Sequence, residues 1–343
     1  MKSLCRALGA AALTVALGVA TAAAATLDIY FIDVEGGQST LIVTPAGESL
    51  LVDAGYAGND GRDAGRIVAA ARDAGIARID YLLITHFHSD HDGGVPELAA
   101  QMPIGTFIDH GDVTSPGTSN PESQLRAFAA YAAVRADRPH LQPQPGDRLP
   151  LKGVDAIVVS SSGAVIGTPL PGAGQPNSAC PESAPRALEP LENPRSTGFL
   201  LRYGRFRFID LGDLTGQPLF ALFCPSNLIG RADLYLVPHH GGSDAAHAAF
   251  GAALQPRVAL LNNGATKGGD PLTFAMLHET AGIDVWQLHR STNEGAANFA
   301  DERIANLDET TGHWIKVSAN EDGSFRVTNG RTGTGKQYPA PAP

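Results

Sequence analysis

Apolar and polar positions along the chain follow two periods, which predict an alternation of strands and helices. Residues 27–56 alternate apolar and polar side chains between turn residues, as the strands of hairpins do. Residues 61–76 and 124–137 instead repeat their apolar positions with helical spacing and predict amphipathic helices. In the second of these, Leu125 and Phe128 lie on the predicted core-facing stripe. Short apolar, β-branched runs predict further strands at residues 79–85, 104–111, 155–162, 197–204, 205–213, 233–238 and 257–263.

The same patterns continue towards the C-terminus. Residues 273–282 predict a helix, residues 284–291 a last core strand or a loop, and residues 313–330 a terminal hairpin. Residues 163–195 are dense in Pro, Gly and Ser without any period, which predicts a long loop insertion. The final residues, 331–343, have the composition of a disordered tail.

The most informative segment for function is THFHSDHDGG, residues 85–94. It places ligand-type side chains at close spacing, directly after a predicted buried strand: His86, His88, Asp90, His91 and Asp92. Imidazole nitrogens and carboxylate oxygens are the ligands that zinc and similar divalent ions take in proteins. Open α/β sheets carry their sites at the carboxyl ends of strands, where this loop lies. The segment therefore predicts a metal site; the alternative is a solvated polar turn.

The first 25 residues have the pattern of a secretory signal peptide. Lys2 and Arg6 precede a run of small apolar residues that ends in an Ala-x-Ala sequence. We expect cleavage after Ala25, export to the periplasm or medium, and no membrane span in the mature protein; the alternative is an uncleaved anchor. Residues 26–330 are expected to form one domain.

Loss of the signal peptide leaves 23 basic and 35 acidic residues, a net charge of −12, since only Lys2 and Arg6 go with it. An acidic balance argues against a broad nucleic-acid-binding surface, which needs a basic face. The mature chain keeps two cysteines, Cys180 and Cys224. An even pair in an exported protein predicts one disulfide, with free or metal-binding thiols as the alternative.

The motif in residues 85–94 resembles the signature of the metallo-β-lactamase superfamily. The resemblance extends in the family's order over residues 27–45, 50–56, 206–216 and 233–242. It implies a mixed α/β (α+β) fold, a four-layer αββα sandwich in which two β-sheets pack face to face between helices. It also implies that two divalent metal ions, zinc or alternatively manganese, share the site.

The resemblance assigns ligands to both ions. His86 and His88 would bind the first ion, Asp90 and His91 the second, and Asp213 would bridge them. One of His239 and His240 would complete the second ion while the other supports it, because neighbouring residues on an extended chain point opposite ways. Asp33 and Asp53 are candidates to orient the ligating histidines.

The third histidine of the first ion is missing from its usual place, since residues 192–201 contain none. This departure is similar to the branch that has HxHxDH, GD and HHG motifs, which includes the extracytoplasmic domain of the DNA-uptake channel of competent bacteria. His110, at the end of a predicted strand, is a candidate to complete the first ion from another direction. The alternative is that His110 faces the substrate or supports another ligand.

Two such ions would share a hydroxide formed at neutral pH, with Asp90 accepting a hydrogen bond from that nucleophile. The resemblance favours hydrolysis of a phosphodiester or related anionic ester. Hydrolysis of an acyl C–N or C–O bond, as in a lactam or lactone, and a non-catalytic metal-binding module are the alternatives. Candidate substrate-binding residues are Lys267, Asn263, His289 and Arg290. The oligomeric state is left open.

Overall fold

A computed structural model describes residues 25–113, 121–181 and 191–342. Its strands form two sheets in chain order, with a final return to the first. The first sheet begins with β1 Leu27–Phe31, β2 Thr40–Val43, β3 Ser49–Val52, β4 Ile79–Leu83, β5 Ile104–Ile108 and β6 His140–Leu141. The second sheet contains β7 Asp155–Ser161, β8 Ala164–Val165, β9 Gly198–Tyr203, β10 Phe206–Asp210, β11 Leu234–Leu236, β12 Val258–Leu261, β13 Asp284–His289 and β14 Ile304–Asn306. The chain then returns to the first sheet with β15 Ile315–Ala319, β16 Phe325–Asn329 and β17 Gly335–Tyr338.

Both sheets are mixed, and their parallel strands carry the site. The first has the order β17-β16-β15-β1-β2-β3-β4-β5-β6, and β4 pairs in parallel with β3 and β5. The second has the order β14-β13-β12-β11-β10-β9-β7-β8, and β10 to β13 are mutually parallel. The carboxyl ends of β4, β10 and β11 lead into the motif loop, the Asp213 loop and the His239–His240 turn, respectively.

The helices cover the outer faces of the two sheets. On the first sheet lie α1 Arg62–Asp73, α2 Val95–Ala99 and α3 Pro121–Arg135; on the second lie α4 Gly216–Phe223, α5 Ala248–Leu254 and α6 Pro271–Glu279. The inner faces pack on one another. Phe31 of the first sheet and Phe208 of the second meet edge to face, with ring centroids 5.7 Å apart, and both are fully buried. The predicted four-layer αββα sandwich is therefore confirmed.

Several predicted elements have different limits or faces. The helix predicted over 124–137 spans Pro121–Arg135, and its buried positions are Gln124 and Tyr131. Leu125 is 45% exposed, so the predicted core-facing stripe was wrong by about one position. Helix α4 was not predicted, because Gly216 and Pro218 read as loop residues; proline is tolerated in a first turn.

The C-terminal tail is another correction. Residues 335–338, predicted as disordered, form β17, which pairs antiparallel with β16. Tyr338 stacks on Phe325, with ring centroids 4.6 Å apart, and donates a hydrogen bond to Asp284 at 2.8 Å. Its aromatic ring therefore supplies the apolar contact that holds an otherwise Gly- and Pro-rich segment in place.

The loop insertion is tied to the second layer of helices. A disulfide joins Cys180 to Cys224, the residue that follows α4, as the sequence predicted. Within the insertion, β8 and a short turn at Asn193–Arg195 are the regular elements of the described residues. The predicted signal peptide lies outside the described residues, apart from Ala25. Among the residues that are described, no helix is long and apolar enough to cross a membrane.

Candidate metal centre

The motif loop is held in place by a carboxylate from the neighbouring strand. Asp53, which directly follows β3, accepts hydrogen bonds from the backbone N–H and the hydroxyl of Thr85, both at 2.8 Å. The same carboxylate lies 2.7 Å from Nδ1 of His91. Asp53 adopts a φ of 60°, which aims its side chain at the loop instead of along the strand. One buried carboxylate thus sets both the start of the loop and one ring within it.

Asp213 reaches the centre from the second sheet through a tight turn after β10. Gly212 has a φ of 54°, and a Cβ there would lie 2.8 Å from Cβ of Thr85. Only glycine therefore permits this approach between the two loops. The carbonyl of Gly212 also accepts the N–H of His239 at 3.1 Å, which links the Asp213 loop to the next ligand turn.

His239 and His240 are not on extended backbone, and this corrects the prediction that they must point opposite ways. Their φ angles are 50° and 54°, in the left-handed region. In that conformation both rings turn towards Asp213: Nε2 of His240 lies 3.2 Å and Nε2 of His239 3.9 Å from its Oδ2. His240 is buried, whereas the side chain of His239 is 30% exposed. The alternation rule failed because the strand ends at Leu236.

Four ligand atoms converge in a cluster that we call the second site. One atom each from Asp90, His91, Asp213 and His240 lies within 4.8 Å of all the others, and all four residues are buried. Nε2 of His91 lies 3.1 Å from Asp90 and 3.2 Å from Asp213. Nε2 of His240 has no hydrogen-bond partner among the described residues. A ligand set of two imidazoles and two carboxylates fits a divalent cation.

His86 and His88 face each other beside this cluster, in what we call the first site. Nε2 of His86 and Nδ1 of His88 are 3.0 Å apart, and Nε2 of His86 is 3.8 Å from Oδ2 of Asp213. Bonds of about 2.0–2.2 Å at tetrahedral angles would separate ligand atoms by about 3.3–3.6 Å. The two observed separations lie just below and just above that range, so a shared cation would need small shifts of these side chains; Oδ2 of Asp213 is near ligand atoms of both sites.

The carboxylates of the centre are ionised. Burial raises the pKa of Asp90, but the nearby ammonium of Lys267 and the ring of His91 outweigh it and hold that pKa well below its usual range. Burial likewise raises the pKa of Asp213, but His240 and His91 outweigh it and hold that pKa well below its usual range. Both carboxylates are thus in the anionic form that binds a cation.

The imidazoles differ according to their neighbours. Burial lowers the pKa of His86 well below its usual value, and the rings of His91 and His88 act in the same direction. Burial also lowers the pKa of His88. His91 is the opposite case: burial lowers its pKa, but Asp213 and Asp90 raise it well above the usual value. His86 and His88 are therefore neutral and ready to ligate, whereas His91 must give up a proton when a cation binds.

His110 is held by a different carboxylate. Its Nε2 lies 3.0 Å from Glu192, which also accepts the backbone N–H of Phe87 at 3.2 Å. The ring packs against Phe87, with centroids 4.7 Å apart. His110 therefore contacts the motif loop through Glu192 and Phe87, and its buried Nδ1 has no hydrogen-bond partner among the described residues, so its role as a third ligand of the first ion stays a prediction.

Of the four predicted substrate residues, Lys267 alone lines the cavity beside the centre. This cavity has a volume of about 470 Å³ and is bordered by His239, His240, Thr266 and Lys267, among others. The ammonium of Lys267 contacts Asp90 and lies 3.2 Å from the hydroxyl of Tyr56. Burial lowers the pKa of Lys267, but Asp90 raises it above the usual value, so the group is a cation.

The other three predicted substrate residues have structural partners. Asn263 is buried and donates to the carbonyls of Gly264 and His289, both at 2.9 Å. His289 is buried, and its Nε2 lies 2.8 Å from Asp33, so Asp33 orients this ring and not a ligand of the centre. Arg290 pairs with Asp301 at the surface. The bond between His289 and Asp33 joins residues 256 positions apart, so the sequence around His289 gave no sign of this partner.

The sequence analysis missed three residues of the centre. Asp244 lies 2.9 Å from Nδ1 of His239 through either carboxylate oxygen. Nδ2 of Asn193 lies 3.2 Å from Nε2 of the same ring. Tyr56 contacts Lys267. Only Asp244 had a sequence signal. It is a carboxylate five residues after His239, and ligating histidines usually donate their second N–H to a carboxylate or carbonyl.

Comparison with known proteins finds a family similarity in the N-terminal part of the chain. Residues 32–176 match the profile of the Metallo-beta-lactamase superfamily. This range contains the motif loop but neither Asp213 nor the His239–His240 turn. A hydroxyacylglutathione hydrolase from Alkalilimnicola ehrlichii is 42% identical over 69 residues, which are 20% of this chain. The match spans 26% of that relative's length.

The similarity to solved structures is more distant. A metallo-beta-lactamase fold protein from Bacillus subtilis is 13% identical, with a TM-score of 0.45, over 76% of this chain and 95% of that one. A metal-dependent hydrolase of the beta-lactamase superfamily is 12% identical, with a TM-score of 0.45, over 77% of this chain and 97% of that one.

Proposed function

We propose that the protein is a metal-dependent hydrolase of the metallo-β-lactamase superfamily, whose profile matches residues 32–176, and that it holds two cations. The observation that carries the proposal is the convergence of four buried ligand atoms, from Asp90, His91, Asp213 and His240, next to His86 and His88. These groups come from two sheets and from distant parts of the chain. A merely structural polar cluster would pair its groups with one another, whereas Nε2 of His88 and Oδ1 of Asp213 are buried without a hydrogen bond among the described residues.

When bound, a pair of divalent cations supplies Lewis acidity and lowers the pKa of water from 15.7 to about 7. The protein's own residues position the ligand side chains. Asp53 fixes the ring of His91, and Asp213 lies between the two sites. Asp90 borders both the second site and Lys267, so its carboxylate can accept a hydrogen bond from an attacking water molecule and orient it.

For the substrate we propose a phosphodiester or a related anionic ester. The cavity beside the centre offers the ammonium of Lys267 at one wall, supported by the hydroxyl of Tyr56. A phosphodiester keeps a negative charge throughout hydrolysis, so the partly buried ammonium of Lys267 beside the ligands would hold it. The remaining wall consists of short polar side chains and glycines, including Ser243, Thr266 and Gly268.

An acyl bond is the second candidate, since the local match to a hydroxyacylglutathione hydrolase includes 42% identity over 69 residues. Three substrates would separate the possibilities: bis(p-nitrophenyl) phosphate, nitrocefin and a hydroxyacyl thioester of glutathione. The purified protein loaded with zinc or manganese should hydrolyse the first, and His88→Ala should abolish that activity. Hydrolysis of either acyl substrate alone would reassign the reaction. Metal binding without turnover of any of the three would indicate a binding module.

We also propose that the protein is exported after removal of residues 1–25. The disulfide between Cys180 and Cys224 supports an oxidising compartment. N-terminal sequencing of protein recovered from cell fractions should give a chain that begins at Thr26 outside the cytoplasm. An intact N-terminus on soluble cytoplasmic protein would contradict export.

A further inference from the structure

The first site has three protein ligands, His86, His88 and the shared Asp213, against four in the second, and the structure supplies a further one. We propose that His239 is the third imidazole ligand of the first cation, and that Asp244 is the positioning residue that orients it. The proposal rests on the metal centre of the proposed function but not on the substrate or the reaction. In this assignment the two adjacent histidines bind different cations. His240 binds the cation of the second site, and His239 binds the cation of the first site.

The ring of His239 is oriented as ligating histidines are. Both oxygens of Asp244 lie 2.9 Å from Nδ1, so Nδ1–H donates to the carboxylate and Nε2 keeps its lone pair. That Nε2 lies 3.9 Å from Oδ2 of Asp213, the same oxygen that lies 3.8 Å from Nε2 of His86. Two imidazole nitrogens therefore face one carboxylate oxygen from about equal distances.

The contact of His239 with Asn193 brings it next to Glu192, which accepts the backbone N–H of Phe87 between His86 and His88. Asn193 lies in the segment that lacks the expected histidine, and its Nδ2 lies 3.2 Å from Nε2 of His239. Its Oδ1 has no hydrogen-bond partner among the described residues and is buried. A polar atom without a partner, beside the nitrogen of an oriented ring, indicates a position that a cation would complete.

The local backbone builds this arrangement within six residues. His239 and His240 both have left-handed backbone, and Gly241 follows with a φ of 75°. The chain then makes a second short turn, Ser243–Ala245, which returns Asp244 to the ring of His239. The ligand and the carboxylate that orients it therefore lie on one short segment of the chain. His110, the other candidate, contacts Glu192 through Nε2 at 3.0 Å, and no carboxylate orients its Nδ1 among the described residues.

Metal binding without any substrate tests the assignment. Zinc per chain is counted after equilibration with a competing chelator, and cobalt(II) titration follows the d–d spectrum of each site. The wild type should bind two ions. His239→Ala should keep the second-site ion, weaken the first by at least about 100-fold, and lose the spectral component of that site. Asp244→Ala should weaken the first site by about 10–100-fold.

His247→Ala is the matched control, because it removes a nearby imidazole whose ring packs on Phe250 instead of on the centre. It should bind both ions like the wild type. Circular dichroism confirms folding, and the partly exposed His239 makes a folded variant the expected result. Retention of two ions at wild-type affinity by His239→Ala overturns the assignment, even if turnover falls, since that result points to proton transfer.

Failure of the proposed function would look different. A wild type that binds two ions through His239 but hydrolyses none of the three test substrates refutes the enzymatic proposal and leaves the ligand assignment standing. A wild type that binds one ion, with an affinity that His239→Ala leaves unchanged, overturns the ligand assignment. A wild type that binds no ion overturns both.

Discussion

Asp53→Asn isolates the role of one buried carboxylate in setting the tautomer of a ligand. Asp53 accepts from the backbone N–H of Thr85 through Oδ1, and from the Thr85 hydroxyl and His91 through Oδ2. Asparagine is nearly isosteric and tolerates the φ of 60°, so the backbone should persist. Its amide oxygen keeps the bond to the Thr85 N–H, which places an NH₂ group against Nδ1 of His91. His91 must then carry its proton on Nε2, the atom that faces Asp90 and Asp213.

The magnitude follows from the loss of this orienting bond. Removing the partner of a ligating histidine weakens metal affinity by about 10–100-fold. At about 1.4 kcal/mol for each factor of ten, this is about 1.4–2.8 kcal/mol of binding free energy. Competition with a chromophoric chelator measures it, and circular dichroism shows whether the variant is folded.

Asp73→Asn is the control for this substitution. It removes a carboxylate that accepts from Tyr30 at 3.0 Å, at the end of α1 and outside the centre. The control should bind metal like the wild type. A folded Asp53→Asn protein whose second site binds zinc as tightly as the Asp73→Asn control would refute the role given to Asp53.

Three other predictions follow from the structure. Lys267→Ala should raise the KM for bis(p-nitrophenyl) phosphate by about tenfold, the effect of one charged hydrogen bond; an unchanged KM in steady-state assays would remove Lys267 from the substrate site. Replacing Cys180 and Cys224 by serine opens a loop of 44 residues and should cost about 4 kcal/mol in urea unfolding, and equal midpoints would contradict this. Burial lowers the pKa of His289, but Asp33 and Glu35 raise it to about 9. Because this folded pKa exceeds the unfolded pKa of about 6.5, the contribution of His289 to the free energy of unfolding is full below pH 6.5. That contribution is lost as the pH rises through 9. In His289→Gln, the urea midpoint of unfolding should decrease less over this pH range than in the wild type. The same pH dependence in both proteins would contradict this role of His289.

The fold and the motif loop could be predicted from sequence because their signals are local. Period-two and helical patterns give the elements, and His86 to His91 lie within six positions, so their proximity needs no tertiary information. The disulfide followed from the number of cysteines in the mature chain. These features depend on spacing along the chain and not on which loops meet.

What failed depends on pairing between distant segments. The carboxylate that holds His110 is Glu192, and the one that holds His289 is Asp33, 256 residues away in the sequence. No local pattern distinguishes a histidine with such a partner from one that faces a ligand. The directions of His239 and His240 depended on two φ angles that a sequence reading treated as extended. Tyr338 ordered the tail through a contact with Phe325 that its composition concealed.

The candidate centre draws on both halves of the sandwich, since the motif loop continues β4 of the first sheet and Asp213 and His240 follow β10 and β11 of the second. A cation bound by ligands from both sheets would connect the two halves. Occupancy at 100 times the dissociation constant adds about 2.7 kcal/mol to the stability of a folded state. The thermal stability of the protein would therefore depend on the metal concentration around it. Loss of metal would weaken the contact between the two sheets before it affected the outer helices.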